Sequence, residues 1–82
     1  MKTTEEINEM IKKLEKSKLG IPEISMFGDH NHQAIDLAIE VLEENLDEDD
    51  VYYKELEGNV ENMGITAVQW ANGEADDEEL ID

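Results

Sequence analysis

Apolar residues recur at helical spacing along this chain, and no window alternates strictly between apolar and polar. Glycine and proline fall between the periodic segments rather than within most of them. These observations predict an all-α fold, a small bundle of three to four helices with an acidic C-terminal tail. Eighty-two residues make one domain. A chain this short buries only somewhat more than about 60% of its unfolded surface, so its core must be efficient. The segments expected are a Lys-bearing amphipathic helix at 1–19, a connector at 20–30, an acidic helical core at 31–73 and a mobile acidic tail at 74–82.

The first helix is predicted from Thr4 to Leu19. Thr3 followed by Glu6 has the spacing of a capping box. Ile7, Met10, Ile11 and Leu14 make one narrow stripe. Gly20 and then Pro22 stop the helix. The stretch from Ile21 to Gly28 reads as an extended connector that carries Ile21, Ile24, Met26 and Phe27 across the core.

The second helix is expected from Asn31 to Asn45. At 100° per residue, Ala34, Ile35, Leu37, Ala38, Ile39, Val41 and Leu42 cover an arc of roughly 200°. So wide an arc predicts a central, mostly buried helix. One narrow strip stays exposed, and it carries Asp36, Glu40, Glu43 and Glu44, with Asp47 in line should the helix run on. Asp47 is an N-cap for a short third helix, and Leu46 and Val51 hold the positions of a hydrophobic staple. A fourth helix is predicted from Val60 to Asn72, capped by Asn59 and stopped by Gly73. Gly64 inside it costs about 1 kcal/mol relative to alanine, so close approach of another helix backbone is expected there. Trp70 is expected in the core.

Charge is divided unevenly. Through Lys18 five lysines face four acids, whereas from Leu19 onward one lysine, Lys54, faces nineteen acids. The net charge is −17 and arginine is absent. Such a surface repels nucleic acid and anionic membranes and attracts basic partners at long range. Direct nucleic-acid binding and membrane binding are therefore not expected. Cysteine is absent, which excludes disulfides, thiolate chemistry and Cys-based zinc sites. No signal peptide and no apolar run of roughly 20 residues is read, so a cytoplasmic location is expected.

Catalytic machinery is not expected. The only serines are Ser17 and Ser25 and the only histidines His30 and His32, and no Ser-His-Asp arrangement is suggested. Asp29, His30, His32 and Asp36 could reach one metal ion, and Asp29 to Glu40 has part of a calcium-loop pattern. Ala34 replaces the glycine that such a loop needs, however, and helix capping is the preferred reading. A second calcium reading beginning at Asp47 fails at Tyr52 and Gly58. No cofactor is expected. Of the adjacent Tyr52 and Tyr53, one is expected to pack and the other to serve as an interface contact.

The acidic strip is the leading site. Its residues are three or four apart and so rise about 4.5–6 Å per step. Like charges so placed repel by a few tenths of a kcal/mol per pair, so the strip reads as an acidic surface kept for solubility, as a DNA mimic, or as an adaptor for some other basic partner. Duplex DNA carries one charge per roughly 1.7 Å of axis over both strands. A stiff row formed by Asp36, Glu40, Glu43, Glu44, Asp47, Glu48, Asp49 and Asp50 can present itself as a phosphate row.

The stretch Phe27-Gly28-Asp29-x-Asn31-His32-x-Ala34-Ile35-Asp36, the acidic run to Tyr52 and Trp70-Ala71-Asn72-Gly73-Glu74 together resemble small acidic proteins encoded by bacteriophages and prophages. The resemblance covers about residues 24–74 and carries over no functional residues. It implies a phage or mobile-element origin, where small acidic proteins that block host DNA-binding or defence enzymes are common. The function expected is therefore non-enzymatic: binding and inhibition of a basic, nucleic-acid-binding host protein by DNA mimicry. The alternative is a helical interaction or assembly module, self-associating as a homodimer through Ile7, Met10, Ile11 and Leu14.

Overall fold

Five helices follow one another in a computed structural model that describes residues 1–20 and 28–81, without the side chains of 28–31. They are α1 (Thr4–Leu19), α2 (Gly28–Glu44), α3 (Glu48–Tyr53), α4 (Gly58–Ala71) and α5 (Asp77–Leu80). No strand occurs among the described residues. The expected connector residues Ile21, Ile24, Met26 and Phe27 lie outside the described residues.

α2 is the hub. It packs most extensively on α4 and next on α1, while α3 and α5 pack on α4. The wide apolar arc explains this placement, since Ile35, Leu37, Ala38, Ile39, Val41 and Leu42 are all buried. α1 contributes Met10 and Leu14, and α4 contributes Val60, Ala67, Val68 and Trp70. The Cα radius of gyration is 11.9 Å, close to the value of about 12 Å for a folded chain of this length. The carboxylates are thus mounted on a packed body.

Local chemistry accounts for the helix ends. At α1 the Thr3 hydroxyl accepts from the Glu6 N–H, and the Glu6 carboxylate accepts from the Thr3 N–H, both at 3.2 Å. α2 stops where Asn45 turns left-handed, with φ 54°, and the Leu46 N–H returns to the Val41 carbonyl at 3.1 Å. Asparagine tolerates that conformation better than most residues. α4 ends in the same way at Gly73, φ 83°, with the Glu74 N–H on the Gln69 carbonyl at 2.8 Å.

Several expectations need correction. α2 begins at Gly28, not Asn31, because no proline or glycine interrupts the polar residues between Gly28 and Ala34. α4 begins at Gly58 with Glu57 at the N-cap, so Asn59 is inside the helix. The first bond of that helix, Glu61 N–H to Glu57 carbonyl at 2.9 Å, forms two residues ahead of the expected cap. Gly64 is crowded by side chains, not by a backbone: a Cβ there would lie 2.6 Å from Leu37 Cδ2 and 3.0 Å from Val51 Cγ1.

The acidic stretch expected as a mobile tail instead turns back onto α4. Ala75 and Leu80 are buried. The Trp70 indole N–H donates to Asp77 Oδ1 at 2.6 Å. A buried indole needs an acceptor, and Asp77 supplies it. The Asp76 N–H is taken by the Glu79 carboxylate at 2.8 Å. The N-terminal end joins the same place, with the Lys2 N–H on the Ala71 carbonyl at 2.9 Å and the Lys2 ammonium 5.1 Å from the centre of the Trp70 ring. That distance suits a cation–π contact.

Candidate functional site

The acidic residues form two rows that meet at a corner. α2 ends at Glu44, so Asp36, Glu40, Glu43 and Glu44 make the first row. Asp47 does not extend it. Asp47 is the extended N-cap of α3 and begins a second row with Glu48, Asp49 and Asp50. The single left-handed residue Asn45 separates the two. The expected unbroken phosphate pitch is therefore corrected to a bent array, for a physical reason: the Leu46 N–H closes α2 while Leu46 turns down against the core.

Each row has its own electrostatics. In the second, Asp47 Oδ1 accepts from the Asp50 N–H at 2.9 Å and Asp50 Oδ2 accepts from the Asp47 N–H at 3.0 Å. Acids here meet the positive end of the α3 dipole, which favours them. The first row is opposed by its helix. Glu43 and Glu44 occupy the last turn of α2, where no basic residue is present, and carboxylates at a helix C-terminus face its negative end.

Among the described residues, two of the eight ladder carboxylates pair with a lysine. Lys18 Nζ lies 2.7 Å from Asp36 Oδ1, and Lys54 Nζ lies 2.9 Å from Glu40 Oε1. Lys54 is the one cation of the acidic part of the chain. Its pKa is raised from the ordinary 10.5, first by the hydrogen bond to Glu40 and then by that carboxylate's charge, against an opposing desolvation, with Glu44 and Asp50 adding lesser contributions. Among the described residues Glu43 and Asp49 make no ion pair with a lysine, while Glu44 and Asp50 act on Lys54 through their charge alone. These lysine pairings could not be read from the sequence, because eighteen and fourteen residues separate the partners.

Tyr52 and Tyr53 both stay outside, 52% and 86% exposed. The expectation that one would pack is corrected, since Val51 alone turns inward from this helix and is fully buried. Both follow the second acidic row at the end of α3. The stripe proposed for self-association turns mostly inward: Met10 and Leu14 are in the chain's own core, and Ile7 and Ile11 pack partly against it. Burial against α2 removes Met10 and Leu14 from any outer surface.

Of the metal candidates, the side chains of Asp29 and His30 lie outside the described residues. His32 is half-buried, and Asp36 is held by Lys18. Among the described residues no three His, Cys, Asp or Glu side chains converge as a metal site. No helix of the described residues is long and apolar enough to cross a membrane.

Comparison of the chain with protein-family models, with curated proteins and with solved structures finds no match.

Proposed function

We propose that this is a non-enzymatic binding protein whose bent acidic array occupies the positively charged groove of a nucleic-acid-binding protein and blocks it. One observation carries the reading. Glu43 and Glu44 are kept at the negative end of α2, with no base in that turn, directly before the acid run of α3. The place of Glu43 and Glu44 at that end, and the like-charge spacing of Glu40, Glu43 and Glu44 along α2, lower stability, whereas the α3 acids are favoured by their own helix. A face held at such a cost has its return outside the molecule.

Asp36, Glu40, Glu43, Glu44, Asp47, Glu48, Asp49 and Asp50 are the phosphate surrogates, with the corner residues dominant. Tyr52 and Tyr53 add contact area at the edge, where tyrosine contributes both a ring and a hydroxyl. On the resemblance to small acidic phage proteins, the partner is a host protein in the cytoplasm. Charge steering makes association fast and salt-sensitive.

The test is capture from a bacterial lysate at low and at high salt, followed by elution with excess duplex DNA. The expected outcome is a nucleic-acid-binding protein held at low salt and released both by salt and by DNA. Capture indifferent to both would overturn the proposal.

A further inference from the structure

Beside the first acidic row, between α2 and the segment joining α3 to α4, runs a groove of about 380 Å³. Leu37, Leu56 and Val60 line its floor, and Asp36, Glu40 and Lys54 form its rim. Leu37 and Val60 are almost wholly buried, so they back the floor while the half-buried Leu56 gives most of the hydrocarbon a side chain can reach. The two carboxylates are four residues apart on one helix, about 6 Å along its axis. An apolar trough with an anionic edge is complementary to a long cationic side chain, which lays its methylene stem on hydrocarbon and keeps its head polar. The chain's own lysines show that the edge accepts cations: Lys54 holds Glu40 at 2.9 Å and Lys18 holds Asp36 at 2.7 Å.

We propose that this groove receives an arginine of the basic protein partner, its stem over Leu37, Leu56 and Val60 and its guanidinium on Asp36 and Glu40 in place of the resident lysines. The inference rests on the acidic face meeting a basic partner, and adds that one side chain is recognised individually. Arginine suits the rim because its planar fork can reach two acceptors, whereas an ammonium is a compact point charge. Lys54 then acts as an internal competitor that must swing away before the partner's arginine can enter.

The probe is acetyl-hexa-arginine amide, titrated into the full chain and followed by NMR of methyl groups and backbone amides. Lys54→Ala and Lys12→Ala each remove one positive charge, but only Lys54 lines the groove. Lys54→Gln serves as a second variant of nearly native shape. The methyls of Leu37, Leu56 and Val60 shift and saturate, and both Lys54 variants bind the peptide roughly two- to fivefold tighter than Lys12→Ala does. Equal affinities for the Lys54 and Lys12 variants overturn the groove. So do unmoved methyls with shifts confined to amides 43–50, an outcome that leaves the acidic array standing. Absence of saturable shifts anywhere from 36 to 50 removes both.

Discussion

Replacing Gly64 with alanine sets two opposing effects against each other. Alanine is the better helix former by about 1 kcal/mol in a helix interior. Against that, the new methyl would lie 2.6 Å from Leu37 Cδ2, 3.0 Å from Leu37 Cγ and 3.0 Å from Val51 Cγ1. The nearest atom ends a flexible side chain, but Leu37 is only 5% exposed and Val51 is fully enclosed. Val51 is also β-branched and stiff. Overpacking of this kind costs about 1–3 kcal/mol. The net expectation for Gly64→Ala is a loss of about 1 kcal/mol, or a fall in Tm of roughly 4–8 °C for a domain of this size. Gly58 is the control. It lies in the first turn of α4 with nothing within 4 Å of its missing methyl, so Gly58→Ala gains about 0.4–1 kcal/mol. Thermal denaturation followed by circular dichroism compares the two. A Gly64→Ala protein as stable as its parent, or shifting in step with Gly58→Ala, would show that α2 and α4 are not in tight contact there.

Asp77→Ala leaves the Trp70 indole N–H without its acceptor at 2.6 Å, a loss of about 1–2 kcal/mol; hydrogen exchange at 76–81 should quicken, and unchanged protection would mean that α5 is held by Leu80 alone. Glu43→Gln should stabilise the protein by a few tenths of a kcal/mol at low salt, with the gain shrinking as salt rises, while weakening capture of the basic partner; a destabilised variant would contradict the opposition between Glu43 and the α2 dipole. Lys54 should lose its proton above the ordinary lysine value of 10.5 because Glu40 raises its pKa. A raised pKa makes its contribution to stability complete below about pH 10.4, the unfolded value, and lost as pH climbs through the folded value. An NMR titration in which Glu40→Gln leaves the Lys54 midpoint unmoved would assign the shift to another cause.

The fold was largely legible because its strongest signals are local. Thr3 and Glu6 mark the start of α1, the wide apolar arc marks α2 as central, and Asp47 caps α3, each through contacts within a few residues. Gly73 likewise stops α4 where its backbone needs the left-handed region. What escaped depends on distant partners. The tail held few apolar residues, so its charge argued for mobility, yet Leu80 and Ala75 suffice once Asp77 can satisfy a buried indole seven residues earlier. Asp76 and Glu79 repeat the spacing of Thr3 and Glu6, a signal that could have revealed α5. The acidic residues of the site were all visible, but their arrangement was not. Asn45 breaks the row, and Lys18 from α1 and Lys54 from just beyond α3 settle on Asp36 and Glu40.

Because the left-handed backbone of one uncharged residue, Asn45, separates α2 from α3, the direction in which the two acidic rows face is set apart from the charge they carry. A change at Asn45 would re-aim Asp47, Glu48, Asp49 and Asp50 relative to Glu43 and Glu44 while every ionisable group stayed in place. Under the proposed function, partner choice could then drift, over generations or in a directed library, through a position that no tally of acids and bases would single out.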